Sequence, residues 1–388
     1  METENKNDEN QPLESSSDFH KFESYQPTQP ADKEQSGKVA TINAWLKKHR
    51  VLVLVVLVTI MIAIGGGISY LFQQLEYDTA PPVSSYKKID QKYYSELTGV
   101  EVQKEDLERP VTAVMIENSP DARPQSGLKD AGVVFESVAE GGITRFLVIY
   151  QEGRPELIGP VRSVRPQFAS WVAAFDAGLA HVGGSDIPLK KLRSGQIKDL
   201  DQFFNAKTYT RVSNRAAPHN VYTSDEKLQA LNQSKGYNSS NFTAWKRKAK
   251  ETPSTSPNAK TIAIPISTGL FAVNYSWDQA TNTYLRSEGG KPHLDREKGQ
   301  LAPKVVIAMQ VPHDVITDSN HYSYPNVIGS GKAWVFQDGT VSEITWSKAS
   351  DKDQIVFKDT TGNPVQLEAG QTWITAIKPS TVPSWQTN

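Results

Sequence analysis

The sequence predicts an α/β (or α+β) outer domain followed by a mostly antiparallel β domain, preceded by one transmembrane helix and a disordered tail. Three observations carry this expectation. The run from Val51 to Phe72 is apolar and uncharged. Between Arg109 and about Lys250, short branched or aromatic runs alternate with helix-like stretches, as in domains that layer helices on a sheet. After about Lys260, strand-like runs follow one another with only turns between them.

The chain has 388 residues, enough for two folded domains at roughly 150 residues each. Lys+Arg 42 against Asp+Glu 43 leaves a formal charge of -1, without the basic excess of a nucleic-acid-binding domain. A cysteine count of 0 excludes thiol catalysis, disulfide staples and cysteine-based zinc sites. Of 7 His, His20 and His49 precede the expected folded region, so neither a metal nor a cofactor is expected. The glycine-rich phosphate loops of nucleotide-binding folds are absent.

Residues 1–45 are polar and poor in large apolar side chains, a composition that cannot offset the entropy of ordering, so a disordered tail is expected. The Val51–Phe72 run would form a helix about 33 Å long at ~1.5 Å per residue, enough for a hydrocarbon core of ~30 Å. A cleavable signal would have a shorter apolar core behind a short basic start, whereas a long polar stretch comes first here. Lys47, Lys48 and Arg50 precede the run, and Gln73, Gln74, Glu76 and Asp78 follow it. Positive flanks stay in the cytoplasm, which predicts a single-pass type II protein with its C-terminal part outside and Tyr70 and Tyr77 at the outer interface. Residues 73–107 read as a stalk, stiffened by Pro81 and Pro82 and interrupted by a helical piece around Tyr93–Leu97.

In the first outer domain, residues 108–250, strands are predicted over Val111–Ile116, Gly132–Ser137, Thr144–Tyr150 and Gly178–Val182. Pro166–Asp176 is helix-like, with Phe168, Trp171, Val172 and Phe175 on one face. Thr223-Ser-Asp-Glu226 is a capping box for a second helix that Gly236 ends. The Pro- and Ser-rich stretch Glu251–Lys260 marks the boundary to the β-rich domain, residues 260–379. There Gln337-Asp338-Gly339-Thr340 is a hairpin signal, and Thr361-Gly362-Asn363 another turn.

The stretch IGPVRSVRP, Ile158–Pro166, sets Arg162 and Arg165 just ahead of a helix, whose positive end disfavours cations. With Arg123 and Arg145 they form a candidate clamp for phosphate or carboxylate, since guanidinium forks match those oxygens. Gly183, Gly184 and Ser185, where a strand turns into a helix start, are candidates for the same anion. All lie near predicted strand ends, where open α/β sheets place ligands. The competing expectation is that Glu117, Glu136 and Glu140 pair with these arginines inside the fold. Glu136 and Glu140 are also weak catalytic candidates, as a carboxyl pair at the ~5–10 Å a glycosidase needs. His181 is a third, as a base for Ser185 or Ser163. His219 reads as a loop organiser. Trp277, Trp334, Trp346 and Trp373 fall on strands as core residues, while Tyr322 and Tyr324 lie on a loop suited to contacts.

These segments give the chain its likeness. Through Arg109–Tyr150, IGPVRSVRP, HVGGS (His181–Ser185) and APHNVYTS (Ala217–Ser224), and more loosely Gly370–Pro379, it resembles the YerB family of bacterial envelope proteins, a family of unknown function. The resemblance implies a two-domain extracytoplasmic protein, mainly of Gram-positive bacteria, and supplies no catalytic residue. Many such proteins look like lipoproteins held by a modified cysteine; this chain has none, and its apolar run takes that place. The layout of an anchor before an α/β domain is also similar to the LytR-CpsA-Psr enzymes, whose acidic metal-binding motif has no counterpart here. The expected function is an envelope factor that binds a wall component or envelope protein. The alternatives are an enzyme on phosphorylated or carboxylated envelope polymers, and a scaffold for membrane partners.

Overall fold

The computed structural model describes residues 44–79, 91–313 and 315–387. The chain divides into two compact units, residues 1–89 and 90–388. In the first, α1 (Arg50–Thr79) holds the predicted apolar run. Its stretch Arg50–Leu75 is long and apolar enough to cross a membrane by length and composition, and none of its most apolar window is buried against protein. Of the tail expected over residues 1–45, residues 1–43 lie outside the described residues, as does the Pro81–Pro82 part of the expected stalk, while residues 44 and 45 are helical.

The second unit begins earlier than the sequence suggests. Tyr93–Tyr94 is not helical but pairs as a strand with Glu101–Val102. Leu97 is buried in the main core, and Ser95 and Thr98 both donate to the Glu152 carboxylate. A segment expected as stalk thus packs onto the folded body, because the apolar Leu97 finds a hydrophobic surface there.

From the first half of this unit come β1 (Thr112–Glu117), β2 (Val133–Glu140), β3 (Ile143–Tyr150), β4 (Gly178–His181) and β5 (Lys198–Asp201). The second half supplies β6 (Thr261–Pro265), β7 (Ala272–Asp278), β8 (Thr283–Glu288), β9 (Lys291–Pro292) and β10 (Val305–Gln310). It continues with β11 (Gly329–Gln337), β12 (Thr340–Lys348), β13 (Val356–Lys358), β14 (Thr372–Ile377) and β15 (Ser384–Gln386). One 10-stranded sheet has the order β13-β12-β11-β10-β14-β2-β3-β1-β4-β5, and a 5-stranded sheet the order β9-β8-β7-β6-β15.

The two expected domains therefore share a sheet. β14, near the chain's end, lies parallel to β10 on one side and to β2 on the other, and every residue of it is buried. One face of the large sheet buries Phe135, Leu147, Ile307, Val335 and Ile374 against Phe168 and Trp171 of α2 (Pro166–Ala173). Phe135 stacks on Trp171 with ring centroids 4.7 Å apart. On the opposite face, α4 contributes Leu228 beside Val134, Phe146 and Trp373; it follows α3 (Asp186–Arg193) and spans Asp225–Ser234. The smaller sheet covers the rest of that face through Ile264, Tyr275 and Trp277, in one cluster with Trp334 of β11.

The local signals hold with small shifts. Ser224, not Thr223, caps α4 by accepting from the Lys227 amide. β11 and β12 meet at the predicted hairpin, where Asp338 and Gly339 both take positive φ (58° and 73°) as a tight two-residue turn requires. The four strand tryptophans are all core residues. Tyr324 departs from expectation: it is buried and donates to Asp318, whereas Tyr322 stays exposed.

The segment IGPVRSVRP takes a defined place in the sheet. β1 and β4 pair in parallel over Thr112–Val114 and then part. Pro160–Val164 fills the gap. Glu117 N–H donates to Pro160 O and Arg162 N–H to Met115 O, each at 2.9 Å. On the other flank Val182 N–H donates to Arg162 O and Val164 N–H to Gly183 O, each at 3.0 Å. The arginine pair sits in the crevice beyond the carboxyl ends of β1 and β4, where sheets of this kind present ligand sites.

Candidate functional site

Two carboxylates organise the cations at this sheet end. The first is Glu140, at the end of β2, which accepts from Arg145 Nη2 at 2.8 Å and Arg165 Nε at 2.7 Å. Arg145 also donates to Ser163 O at 2.8 Å, and Arg165 to Val164 O at 2.9 Å. Burial alone would raise the Glu140 pKa, but Arg145 and Arg165 outweigh it and hold the group below its ordinary value. Arg145 is fully buried. Its pKa is pushed down to about 10 by burial, with Arg165 and Arg162 adding to the push and Glu140 opposing it. Those three guanidinium groups therefore share one electrostatic neighbourhood.

The second carboxylate is Glu117, at the end of β1 and buried. Its Oε1 lies 3.3 Å from Arg162 Nε and accepts from Ser119 Oγ at 3.1 Å. Its Oε2 lies 2.9 Å from His219 Nδ1. Arg215 pins the His219 loop to the neighbouring turn by donating to Asp121 O at 3.1 Å and Pro124 O at 2.7 Å. Three segments that carry the family likeness thus converge on one carboxylate, and a fourth, HVGGS, supports the Arg162 backbone.

Arg123 is not part of this group, which corrects the expected four-arginine clamp. It follows the short turn Pro120–Ala122 and reaches β8, where it pairs with Glu288 at 3.0 Å and donates to Leu270 O at 3.0 Å. The Gly183–Ser185 turn is not an anion cradle either. Gly183 N–H already serves Asp201 Oδ1 at 3.2 Å. Gly184 lacks a side chain because a Cβ there would lie 2.5 Å from Val164 Cγ1, and Ser185 makes no side-chain cap. His181 is buried with its ring nitrogens on Gly183 O at 2.7 Å and Asp199 Oδ1 at 3.1 Å, so neither serves a serine.

Glu136 and Glu140 face opposite ways. Glu136 accepts from Thr144 at 3.2 Å and Glu140 from Arg145 at 2.8 Å, and consecutive strand residues point to opposite faces. The sheet separates the two carboxyls, which rules out their action on one glycosidic bond. Glu136 belongs instead to a buried network that sequence reading missed. Arg286 donates to Glu136 at 2.9 Å, to Tyr275 Oη at 2.6 Å and to His293 Nδ1 at 2.9 Å, with its guanidinium 4.2 Å from the Trp373 ring centroid. A signal existed: in Thr283–Glu288 the alternation that buries Tyr284 also turns Arg286 and Glu288 inward.

Beside the arginine group lies a cleft of about 580 Å³, lined by Glu140, Gly141, Ser267, Tyr322, His321 and Lys378 among others. Among the described residues no cluster of His, Asp and Glu is placed to hold a metal ion.

Fold and site define a protein built on two main sheets, whose cations gather around two carboxylates at one end of the larger one. Residues 97–238 match the N-terminal domain, and residues 261–374 the C-terminal domain, of the protein family of unknown function DUF3048. The chain belongs to this family. It is 32% identical over 292 residues to the Bacillus subtilis (strain 168) protein named "Putative lipoprotein YerB", spanning 74% of this chain and 86% of that one. The crystal structure of the YerB protein from Bacillus subtilis superposes with a TM-score of 0.68 at 31% identity, covering 76% of this chain and 100% of that chain.

Proposed function

We propose that this is a single-pass envelope protein, held with its N-terminus inside by α1, whose 90–388 unit binds an acidic component of the cell envelope outside. One observation carries the reading: Arg145, Arg162 and Arg165 gather at the sheet end against two carboxylates, one of which, Glu117, also serves His219. The adjoining cleft offers hydroxyls, an exposed tyrosine and Lys378 along its walls, a lining suited to a polar polymer. An enzymatic reading with Glu140 as base is weaker, because two guanidiniums that stabilise a carboxylate also reduce its basicity.

The test is co-sedimentation of the full chain in detergent with purified cell walls, before and after removal of their phosphate- and carboxylate-bearing polymers. Binding to intact walls should be at least ~10-fold tighter than to stripped walls, and should weaken as salt rises. Arg162→Ala should reduce it by a similar factor. Equal binding to both preparations, with the variant unchanged, contradicts the reading.

A further inference from the structure

We infer that Arg162 and His219, both held by Glu117, form a subsite for a phosphate monoester. This rests on the reading of the sheet-end arginines as an anion site and names its chemistry. Arg162 is paired with Glu117 by charge alone: its Nε lies 3.3 Å from Oε1 without making a hydrogen bond. Among the described residues neither of its Nη atoms has a hydrogen-bond partner, and its side chain is 25% exposed. His219 spends Nδ1 on Glu117 Oε2 at 2.9 Å, and its ring is 21% exposed with no described partner for Nε2. One buried carboxylate therefore hydrogen-bonds the inner nitrogen of His219, holds the Arg162 guanidinium nearby as an ion pair, and leaves the outer nitrogens of both to a ligand.

The contrast with the neighbouring group is informative. Arg145 spends both Nη atoms, and Arg165 Nε and Nη1, on Glu140 and on the carbonyls of Ser163 and Val164, which ties the crevice segment in place. Those two arginines are positioning residues. Arg162 has donors to spare.

The pairing selects its ligand. The planar Nη donors of a guanidinium match two oxygens of a tetrahedral anion. An unprotonated Nε2 accepts from a third, protonated oxygen of the ligand. A phosphate monoester, whose second ionisation lies near pH 6, can supply that proton; sulfate cannot. Ser119 Oγ, 3.1 Å from Glu117 Oε1 and 3.4 Å from His219 Nδ1, keeps the carboxylate aligned beneath both groups. The phosphate could belong to an envelope polymer or to a small soluble metabolite, and the subsite chemistry is the same.

The experiment uses the full chain in detergent at pH 6 with labelled histidine, followed by nitrogen-15 spectra of the imidazoles. Glycerol phosphate, inorganic phosphate, a phosphodiester-linked glycerol polymer and sulfate are titrated at constant ionic strength. Glycerol phosphate should shift the His219 Nε2 resonance saturably and bind at least ~10-fold tighter than sulfate. A response to the polymer at lower concentration than to glycerol phosphate would assign the subsite to polymer ends; a response to glycerol phosphate or inorganic phosphate at the lower concentration would assign it to small soluble phosphates. His219→Gln and Arg162→Lys should each weaken glycerol phosphate binding by about 10-fold. Unmoved His219 resonances with every phosphate probe overturn the inference. If wall binding still depends on Arg162 in that case, the broader reading survives; if it does not, both fall.

Discussion

Glu288 lies buried beside Arg286, Glu136 and His293, and its Oε2 has no hydrogen-bond partner. Burial raises its pKa from 4.5 to about 7, against the pull of Arg286 and with help from Glu136. An acid that keeps its proton in the fold while the unfolded chain releases it stabilises the fold at low pH. That contribution is lost as pH rises from about 4.5 through about 7. His293 acts the other way: burial, with Arg286 and Arg123, keeps it neutral, so its contribution is lost as pH falls through the ordinary histidine range. Glu288→Gln keeps His293 and imitates the protonated acid. It should gain roughly 1–3 kcal/mol on the wild type between pH 5 and pH 8, read from urea unfolding at each pH. A difference that stays constant with pH would contradict this account. Arg286→Ala, which leaves Glu136 buried without its cation, should cost about 3–5 kcal/mol in the same measurement.

At the scale of elements, β14 is the joint of the molecule. It pairs Thr375 with Glu136 on one side and with Ala308 on the other. A chain ended at Gly370 would lack it and leave β2 and β10 with open, apolar edges, which invite aggregation. Such a chain should be insoluble, or should unfold without the single cooperative transition expected of the intact unit by circular dichroism. A soluble truncation with an unchanged melt would show that the halves fold independently. The same strand marks the limit of sequence reading. β1, β3 and the Asp338-Gly339 hairpin were legible because branched runs and turn residues act locally. The return of Trp373 to lie beside Val134 has no local signature, so the sheet that the two expected domains share was not legible. For the site, Arg162, Arg165, Arg145 and Glu140 were legible as strand-end charges, and Glu117 as a pairing candidate. Arg123 was misplaced because the turn after Ser119 redirects it toward β8. His219 was read only as a loop residue, because its approach to Glu117 spans 102 positions.

For the whole molecule, the proposed reading assigns attachment to α1 and recognition to the 90–388 unit. Lys47, Lys48 and Arg50 on one flank favour a cytoplasmic N-terminus. Protease added to intact cells should digest the 90–388 unit and spare α1. Ile60→Arg combined with Ile64→Arg, each costing about 3 kcal/mol at mid-bilayer, should move the chain out of the carbonate-resistant membrane fraction. Recognition rests on the claim that Glu117 holds Arg162 and His219 with their outer nitrogens turned to a shared anion. The most direct measurement is a crystal structure of the chain grown with glycerol phosphate near pH 6. The account predicts phosphate density touching Arg162 Nη and His219 Nε2, with both side chains still on Glu117. Phosphate bound elsewhere, or an unliganded Arg162 turned away from His219, would contradict it.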